Sequence, residues 1–235
     1  MNLFDQKENQ KKTNKIDLNF AIIDYETSND ANIEPNKDPM QIIKRLHNQM
    51  FEDQNQDVVV GYLNIFNKNN LISELPYLLQ QMEYKKIYNQ TRQQILVIFH
   101  YIGGAAETEP ITLIKKARNK YGSNPIEANQ SKDYTVSTNL DLQQVKKNYK
   151  EAVQSEAEPF KIKDDIINEE VNKLYFLCLK ECEAKKLNCI LIQINKVNQK
   201  LFTDSRIASR IFKILISWSN IQNNQSVENQ KTENQ

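Results

Sequence analysis

Glycine and histidine are scarce in this chain: 235 residues contain four of the first and two of the second. Neither of the glycine patterns that cradle phosphates is present, which disfavours the usual nucleotide-dependent enzymes. Of the histidines, His100 has no nucleophile or orienting carboxylate in a recognisable motif beside it and reads as structural, His47 reads as solvent-facing, and no catalytic residue is assigned. An excess of one charge is missing too. Lys and Arg total 31 against 30 Asp and Glu, and a formal net charge of +1 offers no global field to a phosphate backbone, so nucleic acid is disfavoured as a partner. No apolar run approaches the roughly 20 residues of a bilayer span. The opening "MNLFDQKENQKKTNK" has charges but no apolar stretch behind them, so a soluble, intracellular protein is expected. There the odd count of three cysteines argues against a disulfide framework, and the Asn-Xaa-Ser/Thr triplets at Asn89, Asn129 and Asn224 are accidental.

What cysteine there is sits together, in "YFLCLKECEAKKLNC" at residues 175–189. At 100° per residue Val171, Tyr175, Cys178 and Cys182 fall in one arc, the buried stripe of a helix. The "AKKLN" that follows reads as a helix end and a new start, which would aim Cys189 elsewhere. A zinc site needs four ligands, usually as two spaced pairs, and the second pair is absent; core cysteine is the expectation, with no metal and no cofactor. The carboxylate pairs Asp164 with Asp165 and Glu169 with Glu170 open a helix, where they meet the positive end of its dipole.

Between polar ends, residues 1–37 and 220–235, the pattern reads as helical. The ends are expected to be disordered, although the apolar "IDLNFAIIDY" of residues 16–25 could dock as a short segment. Asp38 and Pro39 make a helix start, followed by Ile42, Ile43, Leu46 and Met50. Further helices are predicted over 57–66, 74–82, 91–102 and 108–120, the one at 91–102 ending at Gly103 and Gly104. A polar insertion at 121–165 follows, with a peripheral helix over 140–153. Helices then return at 166–186, 188–201 and from Asp204 onward. The first helices recur about every 16 to 18 residues, and two such helices approach the repeat of armadillo and HEAT proteins.

The expected fold is therefore all-α: a right-handed armadillo- or HEAT-like solenoid over residues 38–219, with a compact irregular helical bundle as the alternative. Its function would be non-enzymatic, an adaptor binding a protein partner in a groove lined by the second helix of each pair, with Lys85, Tyr88 and Arg92 as contacts. The alternatives are a subunit of a cytoskeletal or ciliary assembly and, more weakly, a nucleic-acid-associated protein using the basic cluster Lys115, Lys116, Arg118 and Lys120, placed in the last turns of a helix. A cytoplasmic, cytoskeletal or ciliary location follows from these readings; composition says nothing of oligomeric state.

Two segments resemble the mouse protein 25 family, also called calcium-binding protein 39. They are "NLISELPYLLQQMEYKKIYNQTRQQILVIFHYIGG" at 70–104, and "NEEVNKLYFLCLKECEAKKL" followed by "SRIASRIFKILIS", in which Leu179, Lys180, Glu181, Cys182, Ile207, Ala208, Ser209 and Phe212 carry the likeness. The resemblance implies a curved helical-repeat scaffold without catalysis that binds and activates protein kinases or pseudokinases.

Overall fold

The computed structural model describes residues 15–23, 45, 58–63, 68–88, 92–102, 110–154, 160–166, 168–195, 206–215 and 217. In chain order these form β1 (Lys15–Ile23), β2 (Val58–Leu63), α1 (Lys68–Tyr88), β3 (Arg92–Ile102), β4 (Ile111–Ile114), β5 (Lys116–Arg118) and β6 (Thr135–Ser137). Then come α2 (Leu142–Val153), β7 (Lys161–Lys163), α3 (Glu169–Ala184), β8 (Asn188–Asn195) and a closing helix, α4, at 206–215.

Six strands make one sheet in the order β2-β1-β3-β8-β4-β7, while β5 and β6 pair apart from it. Neighbours in the large sheet run parallel, except that β4 is antiparallel to β8. A largely parallel sheet is covered on both faces, so its strands need apolar side chains on both sides and read as unbroken hydrophobic runs. "ILVIF" in β3 and "CILI" in β8 are such runs. Ile95, Val97 and Phe99 of β3, with Ile190, Ile192 and Ile194 of β8, pack on α2, α4 and Phe160. Leu96 and Ile98, with Cys189 and Leu191, face the other way, onto α1 through Leu78, Leu79 and Met82 and onto α3 through Leu174, Tyr175 and Cys178. Each such side chain contributes roughly 1.5–3 kcal/mol when fully buried.

The chain is thus a three-layer α/β domain, and neither the helical solenoid nor the helical bundle is present. Residues 58–63, 92–102, 111–118 and 188–195, all expected to be helical, carry strands instead. A short apolar run buried on both faces has no period of its own, so helical spacing can be picked out of it even where β-branched Val and Ile favour the strand. The segment 121–165 taken for an insertion contributes β6, α2 and β7. In the N-terminal segment expected as an arm, Lys15–Ile23 forms an interior strand between β2 and β3. Helices stand where the sequence places them at 74–82, within α1, and at α2, α3 and α4. Of the helix expected from Asp38, only Arg45 is described, and it is helical; Gly103, Gly104, Asp204 and residues 220–235 lie outside the described residues. Among the described residues, no helix is long and apolar enough to cross a membrane.

Candidate functional site

Side chains alternate between the faces of a strand, so the register decides which polar groups meet. His100 of β3 stands opposite Gln193 of β8, and Gln193 opposite Thr112 of β4. All three belong to the face covered by α1 and α3, the face of Leu96, Ile98, Leu191 and Ile114. The result is a lateral row of buried polar side chains: His100 is 3%, Gln193 5% and Thr112 0% exposed. Gln193 Nε2 lies 3.3 Å from His100 Nδ1. An amide nitrogen can only donate, so Nδ1 is the acceptor and the ring proton is assigned to Nε2. Burial lowers the His100 pKa from 6.5 to about 4, and the imidazole is neutral at neutral pH.

The row sits near the carboxyl ends of the parallel strands β3 and β8. In open α/β sheets this is the end at which ligands bind. Beside it, the first turns of α3 are tied to β5 and the loop that follows. Asn168 caps the helix, its side chain accepting from Val171 N. One turn on, buried Asn172 accepts from Arg118 N and donates to the carbonyls of Arg118 and Lys120, each at 2.9 Å. The loop past β5 is held from within by Asn119, which donates to the carbonyls of Glu127, Gln130 and Ser131 and accepts from Glu127 N at 2.7 Å. Glu170 accepts from the Tyr121 hydroxyl and Glu169 from Gly122 N, so the acidic first turn of α3 fastens that loop from outside. Under the helix the Tyr175 hydroxyl donates to Ile114 O at 3.0 Å, and burial drives its pKa well above the usual tyrosine value.

The expected contact residues do not lie on paired helices. Lys85 and Tyr88 belong to the last turns of α1, and Arg92 is the first residue of strand β3, so they are not lined up on successive helices. The basic cluster has lost its helix too: Lys115 lies between β4 and β5, and Lys116 and Arg118 lie on β5. Lys116 pairs with Asp164 at 3.5 Å and Arg118 with Asp165, while Lys115 and Lys120 are exposed. Cys178 and Cys182 fall on the buried stripe read from the sequence. Cys189 does not point elsewhere; β8 runs beneath α3 and returns it to the same core cluster. Among the described residues, no three His, Cys, Asp or Glu side chains are grouped to hold a metal ion. Gln193 and Thr112 escaped the sequence reading, although each is the lone polar residue inside an apolar run, "ILIQI" and "ITLI".

No protein-family model matches the sequence, and no curated protein matches it. Solved structures do. The pyrrolidone carboxyl peptidase of Thermococcus litoralis superposes with a TM-score of 0.59 at 11% identity, over 90% of this chain and 96% of that one. Pyroglutamyl peptidase I of Bacillus amyloliquefaciens gives 0.55 at 13%, over 87% and 95%. The pyrrolidone carboxyl peptidase of Pyrococcus furiosus gives 0.57 at 12%, over 86% and 97%. The chain has the fold of these peptidases. The adaptor reading falls with the solenoid it required, and the solved structures that share this architecture are of peptidases, not of scaffolds. The fold implied by the mouse protein 25 resemblance is not the fold found here. The nucleic-acid-associated reading rested on a basic helix end, which is a strand, and the cytoskeletal or ciliary subunit on polar arms and the 105–166 insertion, yet Lys15–Ile23 and residues 111–163 are built into the domain as strands and a helix.

Proposed function

We propose that the protein is a cytoplasmic enzyme acting on an amide bond of a small, peptide-derived substrate, with its site at the carboxyl ends of β3 and β8. The observation that carries this reading is the buried row His100, Gln193 and Thr112 at the ligand-binding end of a peptidase fold. Neutral hydrogen-bonding groups in a dry layer suit an amide, which has one donor and one acceptor and no charge to desolvate. His100, a neutral imidazole at neutral pH, would stand with Gln193 and Thr112 as the polar groups that orient a substrate amide. Gln193 orients the ring. Cys178 and Cys189 are not the nucleophile in this scheme, because burial pushes both thiols well above the ordinary range and keeps them protonated.

The test is hydrolysis by the full chain of fluorogenic amides, with pyroglutamyl and unblocked aminoacyl groups compared on one leaving amine. Turnover is expected with at least one acyl group, and Gln193→Leu is expected to lower kcat/KM by about tenfold or more, the loss of one oriented hydrogen bond. Absence of turnover across the panel by a folded chain defeats the enzymatic reading. Binding of the amides without turnover, seen as a rise in Tm that Gln193→Leu removes, keeps the site and sinks the chemistry.

A further inference from the structure

The small sheet of β5 and β6 has one edge that the fold covers and one that it leaves open. Asn119 N donates to Tyr134 O and Thr138 N to Lys115 O, each at 2.8 Å. The closely bonded pairs of this antiparallel ladder are therefore 119 with 134, 117 with 136 and 115 with 138. Residues between these pairs turn their backbone groups outward. On β5 the outward groups are used: Lys116 N donates to Asp164 O at 3.1 Å and Arg118 N to Asn172 Oδ1 at 2.9 Å. On β6 the same alternation aims the N–H and C=O of Thr135 and Ser137 away from β5, and β6 is the outer strand there. Natural strand edges are commonly blunted by lysine, proline or a bulge. "YTVST" at 134–138 holds neither residue, its register with β5 is unbroken, and its aromatic and β-branched members suit a strand. Val136 turns into the core beside α3, while Ser137 is exposed.

We propose that this edge is a self-association surface, on which a second copy of the chain adds its own β6 antiparallel to the first and joins the two small sheets into one. An outward row of alternating donors and acceptors is matched in spacing by another extended backbone. A two-fold axis at Val136 sets Thr135 of one copy opposite Ser137 of the other, so every outward N–H and C=O of these residues meets a partner. The Thr and Ser hydroxyls then stand across from one another, a favourable cross-strand pair, and Val136 meets its own counterpart on the face next to α3. Charge favours the same arrangement. The stretch 134–138 is uncharged, and the antiparallel direction brings the end that carries Lys132 to the end that carries the second copy's Asp141. Parallel pairing would set like charge against like. Because the contact is short, association is weak and depends on concentration.

Sedimentation equilibrium of the full-length chain, from micromolar to near-millimolar concentration, should show monomer in equilibrium with dimer. Ser137→Pro removes an outward N–H without costing a bond inside the β5 and β6 pair, since an edge strand tolerates proline where its nitrogen faces out. With its fold verified by circular dichroism, that variant should dimerise about tenfold more weakly or worse. Ser137→Ala keeps the backbone donor and should dimerise nearly as the native chain does. Hydrogen exchange on the native chain reads the same edge without a substitution. The amides of Thr135 and Ser137 should exchange fast in dilute solution and more slowly as the dimer fills, while the Val136 amide, bonded to β5, does not follow concentration. A chain that stays monomeric over the whole range overturns the proposal. So does a dimer in which those two amides stay fast, or one that Ser137→Pro leaves at native strength. If a monomeric chain shows the same two amides slowed by an added peptide rich in Thr and Val, the edge belongs to a foreign strand and not to a second copy.

Discussion

His100 makes stability depend on pH in a direction that follows from its burial. Its folded pKa, about 4, lies below the unfolded value of 6.5, so between these values the unfolded chain binds more protons than the folded one. The contribution is complete above pH 6.5 and is lost as pH falls toward 4, about 3 kcal/mol in all. Urea unfolding at pH 7 and pH 4.5 should show that loss in the native chain, and a His100→Gln variant should show a smaller one, carrying only the background of the carboxylates. Asn172 is the second residue on which much depends. Asn172→Ala leaves two carbonyls and one amide of the β5 region without their partner and should lower stability by about 3 kcal/mol, read from the urea midpoint at unchanged slope. Neither role was legible beforehand: His100 is one polar letter after an apolar run, and Asn172 becomes meaningful only when residue 118 is brought against it.

The ends of the helices, by contrast, are local matters. Asp141 accepts from Gln143 N and Gln144 N at the start of α2, and Asn168 caps α3, both residue types that favour this position. The far end of α3 is built less economically. Lys186 occupies the left-handed position of the reversal, where a β-carbon is strained and glycine is not. Lys186→Gly should therefore raise stability by about 0.5–1 kcal/mol, measured by chemical denaturation, and should leave the fold unchanged. Helices were readable because amphipathic surface elements declare their period: α2 buries Leu142, Val145 and Tyr149 at i, i+3 and i+7. Strands β3 and β8 were not, because burial on both faces removes the alternation by which a strand is known.

For the molecule as a whole, the centre of cohesion is the pair β3 and β8. Each has a hydrogen-bonded neighbour on both sides and apolar layers above and below. Hydrogen exchange should find their amides the slowest in the chain, opening only with global unfolding, while those of the edge strands β2 and β7 exchange through smaller fluctuations. A helical solenoid would instead spread protection along successive repeats. Composition and spacing alone determined the balanced charge, the surface helices at α2, α3 and α4, and the stripe of Cys178 and Cys182 on α3, because these depend on residue type or on neighbours within a turn or two. Only the tertiary structure decided that the apolar runs are strands, that His100, Gln193 and Thr112 lie in one row, that Arg118 and Lys116 meet Asp165 and Asp164, and that Cys189 returns to the core cluster of Cys178 and Cys182. Each of these is set by the register between segments distant in sequence or by a chain reversal. Hydrophobicity specifies that such segments are buried, but not beside which partner.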